Sequence, residues 1–182
     1  MCDTAFTFHP VLERSMQGQV FDLLARCDGD FVPPLSKRTS THQMTFSAGR
    51  PQDVTAANSS LSGPEEYFEE LKTQRFILAI RNGELIGFLS YIDNCKLPYL
   101  QEPSAYVSTV CTHPAYRCQG IGSKLYAYLE EAVDPAVISL RTWSTNEAQM
   151  HLLHKRGYKV IQVVKDNRGP GVDSVYFAKK MR

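Results

Sequence analysis

The segment from Arg117 to Ser123 has the clearest capacity for chemistry in this chain. It reads Arg-Cys-Gln-Gly-Ile-Gly-Ser, and it lies between an apolar strand ending at Cys111 and a helix predicted to open at Ile121. A glycine-bearing loop that leads into a helix leaves backbone N–H groups unpaired, and the helix dipole adds partial positive charge. Such a helix start favours a phosphate or pyrophosphate, and Arg117 adds a formal charge beside it. We therefore expect an anion-binding loop here.

Two familiar phosphate-binding motifs do not fit this loop. The Walker A motif requires a glycine five residues before a Gly-Lys pair, whereas Lys124 follows Ser123 in this chain. The dinucleotide fingerprint requires a third glycine where Leu125 stands, and it requires an acidic residue beyond the next strand. The loop therefore points to a different class of phosphate-containing ligand.

Hydrophobic periodicity and turn residues predict the elements that position the loop. Strands are predicted at 5–9, 75–80, 85–92, 105–111, 137–143, 158–165 and 172–179. Helices are predicted at 16–27, from about 62, at 121–132 and at 146–156. The Asn82-Gly83 pair predicts a two-residue hairpin turn, and its apolar arms predict strands covered on both faces. This order predicts a single α/β (α+β) domain over 1–182 with one mixed sheet flanked by helices.

Composition and charge exclude several classes of protein. The 182 residues carry 20 Lys and Arg against 19 Asp and Glu, a net charge of +1 that provides no basic field for nucleic acid. No apolar run approaches the roughly 18 residues of a membrane span, and no secretory leader is visible. The five cysteines are scattered and lack a Cys-x-x-Cys pair, which argues against disulfides and structural metal. We expect a cytoplasmic protein with no metal, nucleic-acid or membrane partner.

The loop and its surroundings resemble the GNAT superfamily of acyl-CoA-dependent N-acetyltransferases. The run from Arg117 to Gly122 resembles the family's pyrophosphate motif, Arg/Gln-x-x-Gly-x-Gly/Ala. Asn146 and the Gly157-Tyr158 pair stand where such enzymes carry Asn and Gly-Phe. The order of elements is also similar, except over the polar, turn-rich segment 30–63, which we interpret as an irregular substrate-side loop. The resemblance implies a mostly antiparallel sheet with strands that splay apart at the CoA site.

The resemblance also implies a role for each residue of the site. It implies acetyl-CoA as co-substrate and a primary amine, on a small molecule or a peptide, as acceptor. Backbone groups of Val110, Cys111 and Thr112 would hold the pantetheine arm, and the Asn146 side chain would contact its end. The pyrophosphate would be bound by Arg117, Cys118, Gln119, Gly120, Ile121, Gly122 and Ser123. A homodimer is compatible with the family, although no heptad pattern or apolar patch specifies an interface.

The usual proton donor of the family is missing from the sequence. A tyrosine ordinarily stands seven residues after the asparagine, and that position is Leu153. The neighbouring His154 is our candidate catalytic residue, with a surface histidine as the alternative. A CoA-binding or degenerate acetyltransferase-fold module without turnover is therefore the alternative function, and an interaction protein that retains only the fold is a third.

The choice of acceptor is not decided by the residues near the irregular loop. Both signs of charge are present there: Asp28, Asp30, Glu65, Glu66 and Asp93 could hold a cationic amine, whereas Lys37, Arg38 and Arg50 could hold an anionic group.

Overall fold

The computed structural model describes residues 3–38, 41, 46–47, 50–51, 64–133 and 135–181. The strands are β1 (Ala5–His9), β2 (Phe46–Ser47), β3 (Arg50–Pro51), β4 (Arg75–Arg81), β5 (Glu84–Cys95), β6 (Ser104–Thr112), β7 (Val137–Trp143), β8 (Lys159–Val164) and β9 (Ser174–Lys180). The helices are α1 (Arg14–Cys27), α2 (Glu65–Leu71), α3 (Ile121–Tyr128) and α4 (Glu147–Lys155). A π-helical turn, Leu129–Val133, extends α3. None of the described helices is long and apolar enough to cross a membrane.

Seven strands form one mixed sheet in the order β1-β4-β5-β6-β7-β9-β8, and β2 and β3 form a separate two-stranded sheet. The described strands of the large sheet pair antiparallel, except for β6 and β7, which run parallel. The predicted hairpin turn is present, because Asn82 and Gly83 take the positive φ values of 53° and 80°. The predicted fold class is confirmed.

Helices cover both faces of the sheet. One apolar cluster packs α3 and α4 against the sheet and includes Leu125 and Leu153, whose side chains are fully buried. The other packs α1 and α2 against the opposite face and includes Leu24 and Leu71, which are also fully buried. Because both faces are covered, the central strands can be apolar on both sides, as the sequence predicts.

The predicted irregular segment 30–63 lies largely outside the described residues. Its described part contains a 3₁₀ turn, Leu35–Lys37, and the short strands β2 and β3, which the sequence analysis did not predict. A second 3₁₀ turn, Asp28–Asp30, follows α1 directly. This turn brings the chain from the end of α1 toward the ends of β6 and β7.

Candidate functional site

A cleft of about 300 Å³ opens where β6 and β7 separate. The two strands pair only from Ala105 with Ile138 to Val107 with Leu140, although β6 continues to Thr112 and β7 to Trp143. Beyond Val107, the edge of β6 that faces β7 pairs with none of the described strands. Backbone N–H and C=O groups alternate along such an edge, so an extended polar ligand can bind there in the manner of an added strand.

A β-bulge lies at the point where β6 leaves β7. On the other side of β6, Ser90 pairs with Thr109 and Tyr91 pairs with Val107, so Ser108 is an extra residue in the ladder. The Ser108 hydroxyl lies 3.0 Å from the Ser90 hydroxyl and donates to the side chain of Gln74. Because a bulge changes the direction of backbone groups, this one turns the strand at the inner end of the cleft.

The loop before α3 presents backbone donors at the outer end of the cleft. Gly120 precedes the helix with a φ of 77°, and Cys118 takes a φ of 59°. No side chain in the described part of the chain caps the helix, and the first intrahelical bond is from the Lys124 N–H to the Gly120 carbonyl. The N–H groups of Ile121, Gly122 and Ser123 are therefore available to an anion.

Arg117 does not extend along this loop but turns back toward α1. Its guanidinium pairs with the carboxylate of Asp30 and donates to the Thr112 carbonyl at 3.3 Å. It also lies 3.7 Å from the Cys27 sulfur. These contacts place the Arg117 charge beside the cleft, which both Arg117 and Asp30 line.

Two other predicted loop residues hold the loop in place. The Gln119 side chain donates to the Ala115 carbonyl at 3.3 Å and accepts from Arg81 at 3.2 Å. The Ser123 hydroxyl accepts from Arg156 at 3.2 Å. Their side chains thus fix the loop, while their backbone groups stay at the start of α3.

Cys27 and Cys111 are buried neighbours that line the cleft. Burial raises the pKa of the Cys111 thiol well above its ordinary value, and a hydrogen bond to Cys27 raises it further. The hydrogen bond from Cys111 lowers the pKa of Cys27, and Arg117 acts in the same direction. Cys111 is therefore a protonated thiol at neutral pH and not an activated nucleophile.

The opposite wall of the cleft contains the predicted Asn146 together with two polar side chains, Gln149 and Tyr126, that the sequence analysis missed. The Asn146 side chain lines the cleft and caps α4, accepting from the Gln149 N–H at 3.3 Å. The Gln149 side chain in turn donates to the Tyr126 hydroxyl at 2.6 Å. Tyr126 is the one tyrosine among the described residues that line the cleft. Burial raises its pKa, so the hydroxyl keeps its proton at neutral pH.

Leu153 and His154 lie on different sides of α4. Leu153 is fully buried in the core, whereas His154 is exposed and its ring packs against Phe177 at a centroid distance of 5.3 Å. His154 is not among the residues that line the cleft. The structure therefore does not bring this candidate to the other site residues. The described part of the chain also holds no group of three or more metal-ligating side chains.

Comparison with known proteins gives one family. Residues 45–158 match the model of the acetyltransferase (GNAT) family. An aminoglycoside 6'-N-acetyltransferase from Enterococcus faecium is 17% identical with a TM-score of 0.65, covering 98% of this chain and 97% of its own. The protein yncA from Salmonella typhimurium, solved with its cofactor acetyl-CoA, is 15% identical with a TM-score of 0.62, and the match covers 98% of this chain and 95% of yncA.

A third structure has a different named acceptor. The ribosomal-protein-S18-alanine N-acetyltransferase from Escherichia coli is 15% identical with a TM-score of 0.60, covering 97% of this chain and 94% of its own. At these identities the likeness concerns the fold alone. A comparison with curated proteins gives no match. The family match spans more than half of the sequence and includes the cleft strands and the loop before α3, so the chain belongs to the GNAT family of acetyltransferases.

Proposed function

We propose that this protein transfers an acetyl group from acetyl-CoA to a primary amine of its acceptor by direct attack of the amine on the thioester. The observation that carries the proposal is the separation of β6 from β7 after Val107 and Leu140. It leaves an edge of β6 that pairs with no described strand, and the loop after β6 leads to the start of α3, which has no side-chain cap among the described residues. An extended amide-containing arm that ends in a pyrophosphate matches these two features in chemistry and in order.

The residues present fit acetyl-CoA. Backbone groups of Val110, Cys111 and Thr112 would pair with the pantetheine amides, and the N–H groups from Cys118 to Ser123 would hold the pyrophosphate. Arg117 and Gln119 would also bind the pyrophosphate at this loop, and Asn146 would contact the pantetheine arm from the opposite wall. When bound, acetyl-CoA supplies an acetyl group activated as a thioester.

The reaction has three requirements, and the chain's own groups would meet the second and the third. The amine, with a pKa of about 10, must lose a proton before it attacks, and water in the open cleft can accept it. Backbone N–H groups near the Ser108 bulge would stabilise negative charge that develops at the inner end of the cleft. The Tyr126 hydroxyl, which accepts from Gln149, can donate its own proton to the departing sulfur.

The alternative is a CoA-binding or degenerate acetyltransferase-fold module without turnover. The observation that favours it is the fully buried Leu153 at the position where the family ordinarily carries a tyrosine. In that case acetyl-CoA binds and no acceptor is acetylated. The relatives' named acceptors include an aminoglycoside and a ribosomal protein, so both small-molecule and peptide amines belong in a screen. The cytoplasmic location and the homodimer stay predictions.

The test is a calorimetric titration with acetyl-CoA of the wild type, of Gly120→Glu and of Gly171→Glu. Both glycines have nearly the same positive φ, 77° and 75°, and open space around them, so backbone strain is matched. Gly120→Glu places a negative side chain at the proposed pyrophosphate site and should abolish binding, whereas Gly171→Glu should bind normally. Absence of binding by the wild type contradicts the proposal. Acetylation of an amine pool, followed by mass spectrometry, then separates the enzyme from the binding module.

A further inference from the structure

Three arginines from separate parts of the chain meet beside the cleft. Arg38 follows the Leu35–Lys37 turn, Arg141 lies on β7, and Arg168 lies between β8 and β9. Arg38 and Arg168 donate to the same Val32 carbonyl oxygen, at 3.3 and 2.5 Å. Arg141 lines the cleft itself. We call Arg38, Arg141 and Arg168 the arginine cluster.

Aromatic rings connect the arginine cluster to the cleft. The Arg38 guanidinium lies over the Phe31 ring at 5.4 Å, and the Arg168 guanidinium lies over the Trp143 ring at 5.5 Å. The two rings are 5.9 Å apart, and both line the cleft. The cluster is therefore continuous with the space where an acceptor would meet the acetyl group.

The arginine cluster concentrates positive charge in a poorly solvated place. Arg38 is only 6% exposed. Among the described residues, no Asp or Glu forms an ion pair with Arg38 or Arg168. Their hydrogen-bond acceptors include the carbonyls of Val32 and Pro33 and the Ser174 hydroxyl. Burial lowers the pKa of Arg38 and of Arg168, and the positive charge of Arg141 lowers both further. Like charges held together in this way favour the binding of an anion.

Three of the five acidic residues that could hold a cationic acceptor already have partners. Asp28 accepts from the backbone and side chain of Ser36 at 2.7 and 2.8 Å. Asp30 pairs with Arg117, and Asp93 pairs with Arg75. The sequence did not decide between a cationic and an anionic acceptor, and these contacts favour an acceptor with negative charge.

We propose that the arginine cluster binds an anionic oxygen group, a carboxylate or a phosphate, carried by the amine acceptor. The inference rests on the proposed acetyl transfer, because that reaction makes the bound molecule an acceptor. The contacts that define the anion site do not depend on it. Guanidinium groups present paired N–H donors that match carboxylate and phosphate oxygens, and the aromatic rings keep their planes in fixed orientations. The acceptor class is therefore an amine that also carries an acidic group, such as an amino acid, an acidic peptide or a phosphorylated amine.

The binding test uses two probes that cannot be acetylated, inorganic phosphate and glutarate. Calorimetry measures their affinity for the wild type, Arg168→Gln, Arg141→Gln and the surface control Arg26→Gln, which changes an exposed arginine of α1. At least one probe should bind the wild type and the control equally. Arg168→Gln and Arg141→Gln should each weaken its binding about 10-fold or more, because each removes charged hydrogen bonds. Arg168→Lys keeps the charge but loses the planar donors, so its affinity for the probe should lie between that of the two glutamine variants and that of the wild type.

The loop before α3 is a second potential anion site, and Gly120→Glu separates it from the arginine cluster. Retained probe binding by Gly120→Glu supports the cluster, whereas loss of binding in that variant assigns the probe to the loop and overturns the proposal. Equal binding by Arg168→Gln and the wild type, with unchanged circular dichroism, or no binding by the wild type, also overturns it. Failure of the acetyl-transfer proposal would appear separately, as absent acetyl-CoA binding in a protein that still binds the probe.

Once turnover is detected, paired acceptors extend the test. β-Alanine and O-phosphoethanolamine are compared with counterparts that carry no acidic group, β-alaninamide and ethanolamine, which are the uncharged members of the two pairs at the position of the acid, at matched amine concentration. The acidic member of each pair should have the higher kcat/KM. Arg168→Gln should raise the KM of the acidic acceptor about 10-fold or more and leave the KM of acetyl-CoA unchanged. A preference for the uncharged members overturns the proposal.

Discussion

Arg117 and Asp30 form an ion pair that joins the loop before α3 to the 3₁₀ turn after α1. Both side chains line the cleft, and both are about half exposed. The pair places a carboxylate next to the loop that we propose for the pyrophosphate. Asp30 therefore has two effects: it fixes the position of Arg117, and it adds a negative charge where an anionic ligand must bind.

The first prediction concerns this carboxylate. Asp30→Asn should lower the Kd of acetyl-CoA about 2- to 5-fold, because it removes a repulsive charge and releases Arg117, an effect of about 0.5–1 kcal/mol at an exposed site. Arg117→Gln should raise the Kd. Asp22→Asn, an exposed aspartate on α1, is the control and should have no effect. Calorimetry at two salt concentrations checks this prediction, because the gain in acetyl-CoA affinity from Asp30→Asn should be smaller at high salt. Weaker binding by Asp30→Asn would show that fixing Arg117 outweighs the repulsion.

A second prediction concerns the packing that holds the start of α3. A Cβ atom on Gly87 of β5 would lie 3.0 Å from the Ile121 side chain and 3.1 Å from the Cys111 carbonyl oxygen. Gly87→Ala should therefore lower the free energy of unfolding by about 1–3 kcal/mol and weaken acetyl-CoA binding, because Ile121 begins the helix at the proposed site. Urea unfolding and calorimetry measure the two effects.

The control for Gly87→Ala is Gly18→Ala. Gly18 lies inside α1 with open space around it, so the alanine should raise the free energy of unfolding by up to about 1 kcal/mol. We therefore expect Gly87→Ala to lower the free energy of unfolding and Gly18→Ala to raise it. Equal effects would mean that the contact with Ile121 relaxes at little cost.

Local patterns in the sequence were sufficient for most of the fold. The Asn82-Gly83 turn defined a hairpin by itself, and strand β7 was predicted at its observed bounds, 137–143, because it is a short apolar run after a helix stop. The glycine-bearing loop and its family resemblance located the start of α3. These features depend on neighbours within a few residues, which is the range over which sequence patterns carry information.

The other parts of the site depend on which distant segments meet. Tyr126 becomes a cleft residue only because α4 packs beside α3 and Gln149 reaches its hydroxyl. Arg141 and Arg168 come together only because β7 pairs with β9, a register that no local pattern specifies. The candidate His154 is predicted from its place beside Leu153, and one step along a helix turns a side chain by about 100°, here from the buried core to the exposed surface.

A third prediction follows from the pH dependence of Glu130. This carboxylate is 8% exposed and is paired with Arg156 at 2.8 Å and Lys179 at 2.9 Å. Burial acts to raise its pKa, but the hydrogen bonds from Arg156 and Lys179 outweigh burial, so the pKa lies below its ordinary value of 4.5. A carboxylate whose pKa is lowered by folding stabilises the folded state at any pH above its pKa in the unfolded chain. This contribution is lost as the pH falls below about 4.5.

Glu130→Gln should therefore lower the free energy of unfolding by about 1–3 kcal/mol at pH 7, and the difference from the wild type should disappear below the folded-state pKa. Urea unfolding from pH 3 to pH 7 tests this, with Glu147→Gln at the exposed start of α4 as the control. A difference that stays constant over this range would show that packing, and not charge, makes Glu130 important.

The last prediction concerns the proton donor. Tyr126→Phe should lower kcat about 10-fold or more and leave the Kd of acetyl-CoA within about 2-fold, because the hydroxyl is proposed to act on the departing sulfur and not in binding. Gln149→Leu, which removes the 2.6 Å contact to that hydroxyl, should give a smaller loss in the same direction. Tyr128→Phe on the same helix, outside the residues that line the cleft, is the matched control. His154→Ala tests the candidate drawn from the sequence. If kcat falls for His154→Ala and not for Tyr126→Phe, the donor is the histidine, and α4 must move relative to the cleft during turnover.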